Sequence, residues 1–218
     1  MLQIVPTQDG SSTLLSDTFQ SHYHSIFGAE TESTHIFIQN GLQPALVDKN
    51  SILIFEFGFG TGLNALLTLL FAAKNPDKEI KYITVEAYPI PYELLAGLRY
   101  DFGIFLEEFY DMHQSESGEL LKFLPNFEFQ KFETTFEQCK SEFNKPFDLI
   151  FYDAFAPQIQ PELWTEEFFK SFPIKSGGTL VTFCAQGAAR RALKAAGFTI
   201  EKLEGPPGKR EMTRATKL

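Results

Sequence analysis

The chain has little cysteine, no long apolar run and no excess of basic residues, and each of these shortages excludes a class of protein. Cys139 and Cys184 are the only two cysteines among 218 residues. They form no metal-spaced pair, so we expect both to be reduced core thiols. The N-terminus carries no basic-then-apolar signal segment, and no apolar stretch approaches the roughly 18 residues that read as a membrane span. The sequence therefore predicts a cytoplasmic protein without a membrane partner.

The net charge of −9 argues against broad, non-specific affinity for nucleic acids, although a local basic patch remains compatible with it. A hydrophobic content of 44% and a charged content of 22% are typical of a globular domain with a full core. Twenty-four phenylalanines predict packing surfaces filled with aromatic rings. His22, His24 and His35 have no supporting carboxylate or cysteine pattern, so we predict no metal site.

The chain is organised around residues 52–68, where an apolar strand runs into a glycine-rich turn and then a helix. The strand Ile52–Phe55 is unbroken by polar residues, as in a parallel strand that is covered on both faces. The turn contains Gly58, Gly60 and Gly62, and the helix begins at about Leu63. Glycines let a ligand approach the backbone closely, and the helix directs its amides into the turn. The next apolar run ends at Glu86, a position that commonly binds a ribose.

The spacing Glu56-x-Gly58-x-Gly60-x-Gly62 distinguishes among nucleotide sites. It is neither the dinucleotide G-x-G-x-x-G pattern nor a P-loop, because the Gly-Lys-Ser/Thr ending is absent. It resembles the first motif of class I S-adenosylmethionine-dependent methyltransferases, in which the acid suits the cofactor's ammonium group or the waters around it. A purely structural strand–turn–helix is the alternative.

Strands and helices alternate after residue 52, which predicts a parallel, doubly wound α/β sheet. Helices are expected over residues 92–100, 104–116, 134–143, 162–171 and 186–196. The tail predicts two strands, 198–204 and 211–217, with no room for a helix between them, so they must be antiparallel. The expected fold is Rossmann-like, with a mostly parallel seven-stranded sheet that ends in an antiparallel hairpin. Residues 1–48 are interpreted as an extension with short strands, including 35–38, that packs on the main domain, 49–218, and covers the cofactor.

Acidic residues follow the predicted ends of four strands, where ligands bind in open α/β sheets. They are Glu56, Glu86, Glu133 and Asp153. Glu133 would accept from an adenine amino group while Phe132 packs on the base. Asp153 would grip the target nitrogen and accept its proton, and Phe155 would shape the pocket. An exposed loop carboxylate is the alternative for any one acid, and for Asp153 a turn cap before Pro157.

Several longer runs together resemble one family. They are DAFAPQIQPELWTEEFF (153–169), GGTLVTF (177–183), GAARRALKAAGF (187–198) and GKREM (208–212). With TQDGSSTL and HYHSIFGA near the N-terminus, they closely resemble the methylase domain of the bifunctional tRNA 5-methylaminomethyl-2-thiouridine biosynthesis protein, in its stand-alone form. The resemblance covers nearly the whole chain.

The resemblance implies methylation of the aminomethyl group on the wobble uridine of tRNA, with S-adenosylmethionine as cofactor and Asp153 as the catalytic residue. The expected cofactor-binding residues are Glu56, Gly58, Gly60, Gly62, Asn64, Glu86, Phe132 and Glu133. The expected substrate-binding residues are Tyr23, His24, Glu32, Phe155, Pro157, Lys209 and Arg210. Because the sequence ends at Leu218 without the family's oxidase domain, we expect no flavin, and a separate flavin-dependent oxidase is a possible partner.

Two further questions stay open in the sequence. Basic residues cluster in the last helix and the tail, and they could either contact phosphates or form a solvated face. They are Arg190, Arg191, Lys194, Lys209, Arg210, Arg214 and Lys217. The alternatives for function are a methyltransferase or aminopropyltransferase-like enzyme that acts on a small amine, and a non-catalytic domain that binds the cofactor or tRNA.

Overall fold

The computed structural model describes residues 1–218. Its strands are β1 Leu2–Pro6, β2 Ser12–Ser16, β3 Ser21–His22, β4 Ser51–Phe57, β5 Glu79–Val85, β6 Leu120–Leu124, β7 Phe127–Phe132, β8 Phe147–Tyr152, β9 Ile174–Thr182, β10 Phe198–Glu204 and β11 Glu211–Lys217. Its α-helices are α1 Ala29–Ser33, α2 Gln43–Ala45, α3 Leu63–Lys74, α4 Leu106–Gln114, α5 Phe136–Cys139, α6 Glu166–Lys170 and α7 Gly187–Ala195. A π-helical stretch, Thr34–Leu42, joins α1 to α2, and 3₁₀ turns occupy Tyr92–Gly97, Lys140–Glu142 and Pro161–Trp164.

The central sheet has eight strands in the order β10-β11-β9-β8-β4-β5-β7-β6. The five strands from β9 to β7 run parallel. β11 is antiparallel to both β9 and β10. The predicted α/β fold with a C-terminal antiparallel hairpin is therefore confirmed. All five parallel strands end at the same edge, where ligands bind in such sheets.

The sheet has one strand more than the seven expected. β6 pairs antiparallel with β7 at the edge, and its register shifts between Lys122 and Leu124. Its sequence, LLKFL, lacks the polar–apolar alternation that signals a strand. Its conformation is fixed by pairing with β7, which local sequence cannot report.

The two faces of the sheet carry separate apolar layers. One layer packs the N-terminal segment, α3 and α4 against residues such as Ile54. The other packs the segments around α5, α6 and α7 against Phe55. The ring of Phe55 lies 4.9–5.9 Å from those of four other phenylalanines, which are Phe136, Phe143, Phe147 and Phe172. Phenylalanine side chains therefore form much of the apolar layer on this face of the sheet.

The N-terminal segment forms a small antiparallel sheet, β1-β2-β3, followed by continuous helical structure from Ala29 to Ala45. The expectation of a short strand over residues 35–38 is wrong, because Ile36 and Phe37 face the core from a helix. A Cβ atom at Gly41 would stand only 2.9 Å from Val181 Cγ2, so glycine lets this helix lie directly on the sheet. The division of the chain at residue 48 remains a prediction.

Three of the expected helices are shorter than the sequence suggested. The stretch after Pro91 forms a 3₁₀ turn that stops at Gly97. The helix expected over 134–143 is reduced to α5 and a 3₁₀ turn, although Thr135 and Gln138 form a capping box at its start. The helix expected over 162–171 is interrupted at Thr165, whose hydroxyl caps α6 by accepting from the Phe168 amide. No helix has both the length and the apolar character needed to cross a membrane.

Candidate functional site

A cavity of about 510 Å³ lies at the carboxyl ends of β4, β5 and β8. Its floor contains Gly58 and Gly60 from the turn after β4, Glu86 from the end of β5 and Asp153 from the end of β8. Its roof comes from the N-terminal segment and the C-terminal hairpin. The roof residues include Tyr23, His24, Glu32 and Lys209. The structure thus brings predicted cofactor-side and substrate-side residues around one space.

The glycine turn lies in close contact with two other segments of the chain. Gly58, Gly60 and Gly62 have φ angles of +90°, +55° and +77°, which favour glycine. A Cβ atom on Gly58 would stand 2.9 Å from the carbonyl oxygen of Asp153. A Cβ on Gly60 would stand 3.2 Å from the ring of Tyr23. The first glycine therefore allows the turn to approach Asp153, and the second allows the roof to approach the turn.

Glu86 is anchored by backbone donors. Its carboxylate accepts hydrogen bonds from the Gly60 amide at 2.8 Å and the Tyr88 amide at 2.7 Å. Burial raises the pKa of Glu86, and these amides and Lys131 oppose that rise by favouring the charged form. Such a fixed carboxylate on a cavity wall is suited to accept hydrogen bonds from a pair of hydroxyl groups.

Asp153 is the carboxyl group of the cavity that is best suited to accept a proton. Burial raises its pKa to about 7, and Glu32 adds to the rise. Asn64 and Lys209 act in the opposite direction, and Asn64 Nδ2 donates to Asp153 Oδ2 at 2.9 Å. A carboxyl group that titrates near neutral pH can accept a proton from a bound ligand and later return it to water.

Glu56 lies behind the cavity and does not line it. Its side chain is fully buried, and neither carboxyl oxygen has a hydrogen-bond partner. Burial raises the pKa of Glu56 well above its usual value, and Asp153 adds to the rise. Thr84, Asn64 and Tyr82 face the carboxyl and oppose the shift, yet each has an oxygen without a partner. The structure therefore places Glu56 behind the cavity lining, and its expected contact with the cofactor stays a prediction.

Of the other predicted cofactor-binding residues, three line the cavity and four do not. Those that line it are Gly58, Gly60 and Glu86. Gly62 and Asn64 lie outside the lining, and Asn64 reaches the site only through Asp153. Phe132 and Glu133 also lie outside it: Phe132 packs on the ring of Phe143, and Glu133 pairs with Lys131 at 2.7 Å. The segment just beyond them, 134–137, lines the cavity instead.

The predicted substrate residues are also divided. Tyr23, His24, Glu32, Phe155 and Lys209 line the cavity, whereas Pro157 does not. Arg210 lines a separate, shallower depression beside the start of α7. The Phe155 ring lies 5.2 Å from the Tyr23 ring and stacks on Phe19 at 4.3 Å.

The lining includes residues that the sequence did not single out. They include Phe19, Tyr88, Thr134, Thr135, Gln160 and Phe183. Thr134 and Thr135 carried a usable signal, because they lie just beyond β7 at the strand-end edge and Thr135 begins a capping box. Phe19 and Phe183 carried none, since the contacts that bring them to the cavity are distant in sequence.

Three of the seven residues in the predicted basic cluster form ion pairs within the fold. Arg190 pairs with Glu211 at 2.7 Å, Arg214 pairs with Glu201 at 2.7 Å, and Lys209 pairs with Glu32. Lys217 donates to the carbonyl oxygen of Ala196. Arg191, Lys194, Arg210 and Lys217 are the members of the cluster without an ion-pair partner.

Comparison with known proteins places these features in a wider group. Residues 129–218 match the model of a family described as S-adenosyl-L-methionine-dependent methyltransferase. The chain is similar to the tRNA 5-methylaminomethyl-2-thiouridine biosynthesis bifunctional protein MnmC of Marinomonas sp. (strain MWYL1), with 31% identity over 91% of this chain and 31% of that protein. The protein of the same name from Cupriavidus metallidurans is 29% identical over 96% of this chain and 33% of its own length.

The chain therefore spans about one third of the length of these curated relatives. Among solved structures, MNMC2 from Aquifex aeolicus superposes with a TM-score of 0.81 and 24% identity, over 99% of this chain and 70% of that one. At this identity the superposition establishes the shared fold. The chain therefore has an α/β, Rossmann-like fold with a mostly parallel sheet, as this structure does.

Proposed function

We propose that this chain, a member of the S-adenosyl-L-methionine-dependent methyltransferases, methylates the amine of 5-aminomethyl-(2-thio)uridine at the wobble position of tRNA. The observation that carries the proposal is the position of Asp153. It lies beside the glycine turn, is held by Asn64 and faces a cavity that the N-terminal segment covers. The similarity to proteins named for 5-methylaminomethyl-2-thiouridine biosynthesis supports the choice of substrate.

The cavity residues suit the cofactor. Glu86, with its carboxylate fixed by two amides, would accept from the ribose hydroxyls. Gly58 and Gly60 expose backbone at the floor, where a side chain would block the cofactor's amino-acid end. When bound, S-adenosylmethionine would supply an electrophilic methyl group. The surplus of carboxylates in the lining suits a ligand that carries a sulfonium and an ammonium group.

Asp153 would act on the amine. A nitrogen can attack only when its lone pair is free, so the amine must be neutral when the C–N bond forms. Asp153 would accept a hydrogen bond from the amine, orient its lone pair and then take the proton that the methylated nitrogen releases. A carboxyl pKa of about 7 leaves a useful fraction of the charged, accepting form at neutral pH.

The aromatic residues at the cavity mouth suit a nucleobase. Phe155 and Tyr23 line the cavity, and Phe19 bridges from Phe155 to the exposed ring of Tyr88. RNA-modifying proteins commonly stack an unpaired base on such rings. A single-stranded loop nucleotide, such as the wobble uridine, could therefore enter without a duplex being opened.

The test uses tRNA from cells that accumulate the aminomethyl nucleoside. Purified protein, this tRNA and labelled cofactor should give one methyl group per wobble nucleoside, detected by mass analysis of the digested tRNA. Label that appears only in small amines such as spermidine, and never in tRNA, would refute the proposal. The Asp153→Ala variant is the control for adventitious methylation.

Two features of the wider reaction belong to the same proposal. The aminomethyl substrate would be supplied by a separate flavin-dependent oxidase or by another route that leaves a primary amine. Because three of the seven basic residues in the last helix and the tail are ion-paired, tRNA binding should depend less steeply on salt than if all seven contacted phosphates. Binding measured at several salt concentrations reports the number of phosphate contacts directly.

A further inference from the structure

A group of buried polar side chains lies behind the cavity, on the face of the sheet that α3 covers. Glu56 on β4 pairs in register with Thr84 on β5, and Tyr82 stands two residues earlier on the same face of that strand. Asn64 reaches this face from the first turn of α3. All four residues are at most 3% exposed, and each has a polar atom without a hydrogen-bond partner. Unpaired buried polar atoms are costly, so the positions of the protons in this group matter.

Asp153 sets the orientation of the Asn64 amide. The amide nitrogen Nδ2 donates to Asp153 Oδ2 at 2.9 Å, because an ionised carboxylate can only accept hydrogen bonds. The amide oxygen Oδ1 therefore points away from Asp153, and it has no partner. Since an amide oxygen is an acceptor only, Oδ1 requires a donor from the residues around it.

Glu56 can supply that donor when its carboxyl group is protonated. The carboxyl group is faced by Asn64, Tyr82 and Thr84. The two hydroxyl groups can donate to one oxygen of Glu56, while its other oxygen, as an O–H group, can donate to Asn64 Oδ1. This arrangement pairs all five of the unpartnered atoms in the group. An ionised Glu56 would instead leave its carboxylate and Asn64 Oδ1 as two acceptors that face each other.

The neighbouring charge favours the same protonated state. Glu56 pairs in register with Phe151 of β8, two residues before Asp153. The pKa of Asp153 is raised to about 7, and its negative charge adds to the rise in the pKa of Glu56. When Asp153 loses its proton, Glu56 therefore keeps its own. The other charged groups that face Asp153, Glu32 and Lys209, belong to the roof of the cavity.

We propose that Glu56 is a positioning residue, a neutral acid that donates a hydrogen bond to Asn64 Oδ1 and thereby holds the Asn64 amide toward Asp153. The inference rests on the proposed function and adds a third residue to the groups that orient the base. Without this donor the amide can turn about its last side-chain bond, and the Asp153 carboxylate loses its fixed direction. A misdirected base affects the chemical step, so Glu56 should influence kcat and not binding.

The first experiment compares Glu56→Gln with Glu56→Met. Glutamine keeps both a donor and an acceptor, so kcat should stay within about 3-fold of the wild-type value. Methionine has a similar length and no donor, so kcat should fall by about 10-fold, with KM for tRNA and cofactor affinity within about 3-fold. Glu108→Met is the matched control, because it also removes a buried carboxyl oxygen without a partner, but on α4 and outside the cavity lining. It should leave kcat unchanged.

A double-mutant cycle separates positioning from a general loss of packing. If Glu56 acts through Asn64, adding Glu56→Met to Asn64→Ala should lower kcat by less than about 2-fold further, because the amide that Glu56 orients is already absent. Two losses of kcat that multiply in full would overturn the inference, as would a Glu56→Met variant with wild-type kcat.

Infrared spectroscopy tests the proton on Glu56 without any methyl transfer. At about pH 9, where Asp153 is ionised, the wild-type protein should show the C=O stretching band of a protonated carboxyl group. The band should be absent from Glu56→Gln and shifted in Asn64→Ala. A wild-type spectrum without this band would overturn the inference, even if Glu56→Met does not fold. A protein that shows the band and its shift but does not methylate the tRNA would support the hydrogen bond and count against the proposed function alone.

Discussion

Asn64, in the first turn of α3, donates a 2.9 Å hydrogen bond to Asp153 at the end of β8. The helix that follows the glycine turn therefore holds the proposed catalytic carboxylate in place. Asn64 itself does not line the cavity, so it acts on the site through Asp153.

Replacing Asn64 with alanine should release the Asp153 carboxylate from this orientation. We expect kcat to fall by about 10- to 100-fold with little change in KM for tRNA, because a misplaced base affects the chemical step. Asn75→Ala removes an amide at the other end of the same helix and serves as the control. A kcat equal to that of the wild-type protein would show that Asp153 needs no support from Asn64.

Asp153→Asn should abolish most activity while cofactor binding is retained. The amide cannot accept the amine proton, so we expect kcat to fall by roughly 10²- to 10⁴-fold. In the wild-type protein, methylation should rise with pH as the Asp153 carboxyl, whose pKa is raised to about 7, loses its proton. Rates measured from pH 5.5 to 9 with saturating substrates would check this, and a flat profile below pH 7 would contradict it.

The same substitution should stabilise the fold at high pH. The carboxyl pKa is about 7 when folded and near 3.8 when unfolded, so between these values the folded state holds a proton that the unfolded state releases. The contribution of the Asp153 carboxyl to the unfolding free energy is therefore fully present below about pH 3.8 and is lost as the pH rises to about 7. At pH 8 Asp153→Asn should gain on the order of 1–3 kcal/mol in unfolding free energy, and near pH 4 almost none. Urea unfolding at both pH values measures the difference.

Glu56→Gln should be tolerated. Because the Glu56 carboxyl is buried without partners and its pKa is raised, the protein holds it as a neutral acid, which glutamine imitates in shape. We expect cofactor affinity within about 3-fold of the wild-type value and an unchanged or higher melting temperature. Calorimetric titration with the cofactor provides the measurement. Affinity reduced by more than about 10-fold would restore the alternative in which a charged Glu56 binds the cofactor's ammonium.

The Gly58→Ala variant tests whether the close approach of the glycine turn to Asp153 matters for activity, apart from the strain of a positive φ angle. Its Cβ would stand 2.9 Å from the Asp153 carbonyl oxygen, so the end of β8 must move. Gly177→Ala is the control, because Gly177 also has positive φ, +75°, but has no atom within 4 Å of the added Cβ. Both should lose about 1 kcal/mol of stability to strain. Only Gly58→Ala should also lose activity, by about 10-fold or more; equal activities would contradict the role given to this contact.

The strands around the site were predictable because their signals are local. The unbroken apolar run Ile52–Phe55 is typical of a central strand, and the glycines that follow it favour a tight turn. The strand-end rule then placed Glu86 and Asp153 at one edge without knowledge of any contact. The sequence by itself therefore determined the fold class, the glycine turn and two carboxylates of the cavity.

The tertiary structure alone decided which neighbouring residues face the cavity. Glu133 follows β7 as Glu86 follows β5, yet Glu133 pairs with Lys131, whereas Glu56 lies within β4 and is buried behind the turn. The pairing of Glu32 with Lys209 joins residues 177 positions apart, and it converts an expected phosphate contact into a neutral bridge. Such outcomes depend on side-chain direction and on partners that are distant in sequence. A position at the end of a strand determines where the backbone of a residue lies, but only tertiary packing determines the direction of its charged side chain.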